Sequence, residues 1–298
     1  MIIETNIRAI KVILLVWKWL IFYLSLSIAV AVLYTRYNFN ISISNAEISM
    51  LGIALSILMG FRVSAAYERW WEARKIWGAV VNNSRSFARQ VITFCHDSGV
   101  EGELVKSLIY RQIAFVHAMA CRLRQVDCAV LIEPLLYDDE YEKIIVKSHI
   151  PNLLLLHNTY AVKQLQKDNY ITDFELMRVE ETLYQLTDNL GAAERIKNTP
   201  FPVPYSYFTW LLVHLFAILI PFGMVDAFGY LTIPVALCAT FIFLVIDQIA
   251  VEIQDPFSNR ENDIPVSAIC QNIEIDLKEM MGDTNLPQTK TPEGGVLM

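Results

Sequence analysis

The stretch "LGIALSILMGFRVSAAYERWWEARKIWG", residues 51–78, joins an apolar helix to a sudden run of charged and aromatic residues. Ile53, Ile57 and Phe61 recur every four residues, so they share one helix face that drifts slowly around the axis. Small residues flank them, namely Gly52, Ala54, Ser56 and Gly60. Small residues let membrane helices approach closely. The bulky face is then either an ordinary face that contacts lipid or a bundle core, or the lining of a constriction that gates by dewetting. Periodicity alone leaves both interpretations open.

The composition of the chain indicates a protein that is partly membrane and partly cytosolic. Of its 298 residues, 54% are hydrophobic and 18% are charged. The net charge of -7, without any Lys/Arg run, argues against a nucleic-acid partner. Five cysteines without CxxC spacing and five histidines without HExxH spacing predict no metal site, and we expect no cofactor.

Four segments are long enough to cross a bilayer, which takes about 20 apolar residues. They cover about 10–34, 48–66, 207–224 and 230–250, and Pro221 interrupts the third. Basic residues cluster before the first segment, at the end of the second and before the third, at Arg8, Lys11, Arg62, Arg69, Arg74, Lys75, Arg195 and Lys197. The positive-inside rule then predicts a multi-pass protein of the cell inner (plasma) membrane, with both termini cytoplasmic.

The region 67–204 is expected to form a helical cytosolic region, and 251–298 a cytosolic C-terminal segment. In 171–191, apolar residues at steps of three and four predict an amphipathic helix. Thr172 and Glu175 have the spacing of a capping box, and Gly191 offers a C-terminal stop.

Three segments resemble the signature segments of the bestrophin family in its bacterial branch. They are "GFRVSAAYERWWEARKIWG" (60–78), "GAAERIKNTPFPVPY" (191–205) and "EIQDPFSNRENDIP" (252–265). Their order and spacing agree with that family over nearly the whole chain. The resemblance implies an all-α membrane protein with four transmembrane helices per subunit and a helical cytosolic part. It also implies that 1–298 is a single channel unit and that five identical subunits surround one axial pore.

The same resemblance assigns candidate pore residues. It implies that Ile53, Ile57 and Phe61 line a hydrophobic neck, so that the bulky face of the quoted helix looks into the pore. It also implies that a cluster pins the end of this helix at the inner interface, namely Arg62, Arg69, Trp70 and Trp71. A second, cytosolic aperture maps to Phe174, directly after Asp173. The alternative is that Phe174 packs against a neighbouring helix.

Asp247 is an acid within the predicted fourth span, where a charge is costly and usually paired. We expect Arg62 or another basic residue of the second helix to be its partner. A structural role in subunit packing is favoured over a role in ion conduction. His214, in the third span, is interpreted as a packed core histidine.

Animal bestrophins bind calcium just after the Pro-Phe pair that matches Pro256 and Phe257. Calcium needs several hard oxygen ligands with excess negative charge. Here Arg260 takes one acidic place and amides take two others, so calcium gating is not expected. The stretch "NREND", residues 259–263, is predicted to be a solvated turn with an internal ion pair.

The predicted activity is conduction of monovalent ions, with a preference for cations because the acidic chain could line an inner vestibule. An anion channel of the same fold remains open, since animal members pass chloride. A secondary transporter would need two inverted halves with paired broken segments, and Pro221 interrupts one segment only. No catalytic constellation stands out, so an enzyme is not expected. A non-conducting membrane scaffold is the remaining alternative.

Overall fold

The computed structural model of the chain describes residues 9–96, 102–289 and 291–292. The helices are α1 (Ala9–Tyr37), α2 (Asn45–His96), α3 (Gly102–Arg124), α4 (Ala129–Ile132), α5 (Asp138–Ile145), α6 (Ile150–Lys167), α7 (Asp173–Asn198), α8 (Val203–Phe228), α9 (Thr232–Ile253) and α10 (Val266–Met280). Short 3-10 turns occupy Glu133–Leu135 and Gly229–Leu231. Within the described ranges there is no strand, which confirms the predicted all-α class.

The described residues form two compact units. The apolar unit contains the residues up to Trp70 together with Pro200–Asp255. The helical body contains Trp71–Thr199 and the residues from Pro256 onward. Helix α2 contributes residues to both units. The assignment of the whole chain to one channel unit stays a prediction.

The apolar unit is built by packing α1, α8 and α9 against one another. Helices α8 and α9 form an antiparallel hairpin around the turn Gly229–Leu231, with the rings of Phe216 and Phe243 in edge contact at 5.1 Å. The side chains buried in this core include Val16, Tyr23, Ile48, Leu55, Met59, Val213, Phe216, Ala217, Ile220, Ala236 and Leu244. The core therefore combines residues from both ends of the sequence.

Three helical segments are long and apolar enough to cross a membrane: Ile13–Tyr37, Asn45–Cys95 and Val203–Ile253. The third joins α8, the turn and α9, so the four predicted spans overlap three continuous segments. The count of four crossings and the orientation of the termini stay predictions. Arg8, which supports that orientation, lies outside the described residues, as do 290 and 293–298 of the predicted C-terminal segment.

The predicted interruption of the third span at Pro221 is wrong, because Pro221 lies inside the continuous helix α8. Proline removes one backbone donor from a helix, but neighbouring groups in a bundle can compensate. Here Pro221 is buried, and the carbonyl of the next residue, Phe222, accepts a hydrogen bond from the backbone N–H of Ile43 at 3.0 Å. Packing and this bond support the helix at that point.

The prediction that the helix of the second span ends at Arg62, Arg69, Trp70 and Trp71 is also wrong, whereas the end of the membrane span itself stays a prediction. Helix α2 continues for 52 residues, from Asn45 to His96. The segment 62–77 contains no Gly or Pro and is rich in Ala, Glu and Arg, which favour helix. Ala66 is buried in the apolar unit and Ala73 in the helical body, so packing supports the helix beyond the expected end.

In the helical body, the capping box of α7 is confirmed. The Thr172 hydroxyl accepts from the Glu175 N–H at 3.3 Å, and the Glu175 carboxylate accepts from the Thr172 N–H at 2.7 Å. The expected stop at Gly191 is wrong, because α7 continues to Asn198. Residues beyond that glycine, such as Ala193 and Ile196, are buried, and their packing favours a longer helix.

Candidate functional site

The three predicted neck residues lie on the exposed side of α2. The exposed fractions of Ile53, Ile57 and Phe61 are 63%, 57% and 67%. All three bulky apolar side chains are therefore exposed, and they follow one another along a single helix face. Within one subunit, they form an uncovered apolar stripe, which we call the α2 stripe.

The opposite side of α2 is buried in the apolar unit. Leu55, Met59, Arg62 and Ala66 follow one another at steps of four, three and four, and each is at most 2% exposed. Both faces of this helix segment are therefore rich in apolar residues, but only one face is buried in the core of the apolar unit. The packing of α2 thereby sets the rotation that leaves the α2 stripe uncovered.

The small residues beside the α2 stripe have different environments. A Cβ atom added at Gly52 would lie 3.2 Å from the ring of Phe216, so this glycine allows α8 to approach closely. At Gly60 an added Cβ would meet no atom within 4 Å. Close approach of helices within one subunit therefore accounts for a glycine at position 52. It does not account for a glycine at position 60.

Arg62 and Asp247 form a buried ion pair between α2 and α9. Arg62 Nη1 donates to Asp247 Oδ1 and, at 3.4 Å, to the carbonyl of Ser206. The side chains are 2% and 11% exposed. A buried charge without a partner is strongly destabilising, so each residue constrains the position of the other. This pair confirms the predicted partner of Asp247.

His214 is packed in the core, as predicted from the sequence. Its Nδ1 atom lies 2.5 Å from the Tyr23 hydroxyl. The imidazole also contacts the rings of Trp19 and Trp210, with centroid distances of 4.2 and 4.4 Å. These aromatic partners come from α1 and α8, and their identity was not predicted.

The other residues of the predicted inner-interface cluster lie at the middle of α2. Arg69 and Trp70 are half-buried, and Trp71 is 47% exposed. The Trp70 ring stacks on Tyr67 with a centroid distance of 6.1 Å. Placement of this cluster at a membrane surface stays a prediction.

Phe174, the predicted aperture residue, is the second residue of α7 and is 82% exposed. The preceding Asp173 accepts a hydrogen bond from Gln166 Nε2 at 2.8 Å, which ties the start of α7 to the end of α6. In the described part of one subunit, no neighbouring helix buries the Phe174 ring. The helix start thus presents an aromatic ring and a carboxylate side by side.

The segment 259–263 is only partly the solvated turn that was expected. Asn259, Arg260 and Glu261 are exposed, whereas Asp263 is 1% exposed. Asp263 Oδ2 accepts from the backbone N–H of Arg260 at 3.0 Å, so a backbone hydrogen bond holds this carboxylate within the turn. Asp263 is drawn inward because the next residue, Ile264, is fully buried. Among the described residues, no group of three potential metal ligands is present.

The family model described as "Bacterial/Fungal Bestrophin protein" matches residues 5–279. This chain belongs to the bestrophin family. The match covers the α2 stripe, the buried ion pair and the start of α7 in one continuous alignment. With its long apolar helices, this bestrophin is a membrane protein.

Similar proteins agree with that assignment. The "Voltage-dependent anion channel-forming protein YneE" of Escherichia coli (strain K12) is 32% identical over 248 residues, covering 83% of this chain and 80% of the relative. The protein of the same name from Salmonella typhi is 33% identical over 252 residues, covering 83% and 80%. The crystal structure of a bacterial bestrophin homologue from Klebsiella pneumoniae has a TM-score of 0.83 at 30% identity, covering 89% of this chain and 97% of the other.

Proposed function

We propose that this bestrophin is a homopentameric channel for monovalent ions, with the α2 stripe as its neck. The observation that carries the proposal is the exposure of Ile53, Ile57 and Phe61 on a helix whose opposite face is buried. Copies of α2 around an axis would place three apolar rings along about 12 Å of pore. Such a constriction offers no polar replacement for the hydration shell of an ion, and it gates by dewetting.

The E. coli and Salmonella relatives support the channel function, because their names describe channel-forming proteins. An exposed apolar face in a membrane protein could instead contact lipid, and the face would then tolerate any apolar residue. A channel requires no catalytic group, so the proposed function is not enzymatic. The partners are other copies of the chain, monovalent ions and the bilayer.

The second constriction of the proposed pore is formed by Phe174 and Asp173 at the start of α7. Its support is the 82% exposure of Phe174 beside a carboxylate that is held by Gln166. An aromatic ring narrows an exit more than an aliphatic side chain does. We place this exit, and both chain termini, on the cytoplasmic side of the inner membrane, by the positive-inside rule.

We favour monovalent cations, because the net charge of -7 can make the aqueous part of the pathway negative. The names of the E. coli and Salmonella relatives favour the second candidate, an anion channel of the same fold. A hydrophobic neck selects ions by the cost of their dehydration. Charged residues elsewhere in the pathway must then determine whether cations or anions are preferred. We propose that calcium does not gate the channel, since Arg260 and two amides occupy the segment 258–263.

The test is a planar-bilayer recording of purified protein under a NaCl gradient, with the oligomeric state measured on the same preparation by analytical ultracentrifugation. Discrete currents from a pentamer support the proposal. Reversal near the sodium potential supports cation preference, and reversal near the chloride potential supports the anion alternative. A stable monomer or dimer contradicts the axial pore. Pentamers that stay silent, even with Ile57→Ala in the neck, favour the scaffold alternative.

A further inference from the structure

Glu68 lies on the same face of α2 as the α2 stripe. It follows Phe61 by seven residues and Ile57 by eleven. At about 100° per residue, its direction is within about 20° of both side chains. Like them, Glu68 is exposed. The helix rise places it about 10 Å beyond Phe61 along the axis of α2.

The surroundings of the Glu68 carboxylate differ from those of Glu72, the next acid along the same helix. Its contact in the structure is the Ser64 hydroxyl, which donates to Oε1 at 3.4 Å. Among the described residues, no basic side chain is paired with Glu68. One helical turn further, Glu72 differs, because its Oε1 accepts from Arg195 Nη2 at 2.8 Å.

Glu68 and Glu72 differ in the electrostatic field that they produce around α2. An ion-paired carboxylate such as Glu72 contributes little at a distance, because the charge of Arg195 offsets it. An isolated carboxylate attracts cations within a Debye length, about 8 Å at physiological salt. If Ile57 and Phe61 face a pore axis, Glu68 faces the same axis just past the narrowest part.

We propose that Glu68 selects the charge of the permeating ion. This inference rests on the proposed channel function. It adds the residue that determines whether cations or anions pass. Five copies of Glu68 form a carboxylate ring at the end of the neck that follows Phe61. The ring raises the local concentration of monovalent cations and repels anions, as rings of acidic side chains do in cation channels. The apolar rings before it impose dehydration, and the Glu68 ring decides which sign of ion is admitted.

The experiment compares reversal potentials in planar bilayers under a tenfold KCl gradient. The samples are the full-length protein, Glu68→Gln, Glu68→Asp and Glu68→Lys, with Glu72→Gln as the matched control on the same helix. We expect Glu68→Gln to lower the ratio of potassium to chloride permeability by roughly tenfold, which is the lower end of electrostatic focusing. Glu68→Asp should keep the ratio near that of the unchanged protein. Glu68→Lys should make chloride the preferred ion, and Glu72→Gln should leave the ratio unchanged.

The outcomes separate this inference from the channel proposal. If the unchanged protein conducts and Glu68→Gln reverses at the same potential, Glu68 does not select the ion, although the channel proposal stands. Chloride preference in the unchanged protein also contradicts the inference. If neither the unchanged protein nor Ile57→Ala conducts as an intact oligomer, the channel proposal fails and this inference fails with it. Because Glu68 is exposed, its replacement leaves the packed core of the apolar unit intact.

Discussion

Arg62 and Asp247 pair across α2 and α9, and Arg62 directly follows Phe61, the last residue of the α2 stripe. Rotation of α2 about its axis would pull the guanidinium away from the carboxylate and from the Ser206 carbonyl. The pair therefore constrains the same rotation that exposes Ile53, Ile57 and Phe61. Packing of Leu55 and Met59 on that side acts in the same direction.

The first prediction concerns this pair. Asp247→Asn leaves the Arg62 guanidinium buried without a counter-charge, and we expect a loss of about 3–5 kcal/mol of stability. Thermal unfolding in detergent, followed by circular dichroism, measures it. The control is Glu72→Gln, which breaks an exposed pair with side chains 45% and 66% exposed, where a loss of about 0–1 kcal/mol is expected. Equal stability of Asp247→Asn and the unchanged protein would show that the pair does not support the fold.

The second prediction concerns the neck. Ile57→Ala and Phe61→Ala shorten the apolar side chains of the constriction, so water should enter it more readily. We expect a rise in open probability of roughly tenfold, equivalent to about 1.4 kcal/mol. Single-channel recording measures it. Ile21→Ala is the control, because Ile21 is 55% exposed on α1 in the same unit. Gating like that of the unchanged protein in both neck variants would place the constriction elsewhere.

The third prediction concerns the start of α7. Phe174→Ala should raise single-channel conductance about twofold, because a smaller side chain widens a narrow exit. Stability should change by less than about 0.5 kcal/mol, since the ring is exposed. Tyr184→Ala, on the same helix and 62% exposed, is the control and should conduct normally. If both variants conduct like the unchanged protein, Phe174 is not at an aperture.

The fourth prediction concerns calcium. Chelation of calcium with EGTA should leave the current unchanged, because Arg260 is basic and Asp263 accepts a backbone hydrogen bond within its own turn. Recordings before chelation, after it and after calcium is restored provide the comparison. A current that falls on chelation and returns with calcium is the result that contradicts this prediction.

The fifth prediction concerns acid stability of the helical body. Arg111 makes two hydrogen bonds to Glu140, at 2.6 and 2.9 Å, and His157 Nδ1 lies 2.8 Å from the same carboxylate. Burial by itself raises the pKa of Glu140, but the hydrogen bonds and charge of Arg111, together with His157, outweigh it and lower the pKa. The ionised carboxylate therefore stabilises the fold above its ordinary pKa of 4.5.

This stabilisation should disappear as the pH falls below about 4.5 through the lowered pKa of Glu140. Urea unfolding at several pH values measures the effect. Glu140→Gln should be less stable at neutral pH and should lose less stability on acidification. The same acid sensitivity in the variant and in the unchanged protein would assign the effect to other carboxylates. Glu274, whose pKa is also lowered, is one such group: its burial raises the pKa, and hydrogen bonds from His117 and Lys278 outweigh that effect.

Several features of the fold could be predicted because they depend on neighbours in the chain. The capping box of Thr172 and Glu175 needs only three residues of spacing, and it is present as predicted. Helix ends were less predictable. Gly191 is a local signal for a helix end, and at 62–71 an end was predicted from the change to charged and aromatic residues, although these residue types favour helix. Burial of Ala193 and Ala73 favours continuation, and that burial depends on residues far away in sequence.

The partner of Asp247 could be narrowed to a basic residue of α2, because a buried charge requires one. The partners of His214 could not be predicted, since neither an aromatic ring nor a hydroxyl is obligatory beside a buried imidazole. The sequence already shows that Glu68 follows Phe61 of the α2 stripe by seven residues. This spacing gained significance only when the structure showed that Phe61 and Glu68 are both exposed.

The sequence by itself determined the all-helical class, the apolar segments and the periodicity of α2, because these follow from the order of residues along a short stretch. It left α2 with two apolar faces, one containing Ile53, Ile57 and Phe61 and the other containing Leu55 and Met59. Only the tertiary structure decided which face is buried. The choice depends on which face fits against α8 and α9 and brings Arg62 to Asp247, and those contacts join residues up to 185 positions apart.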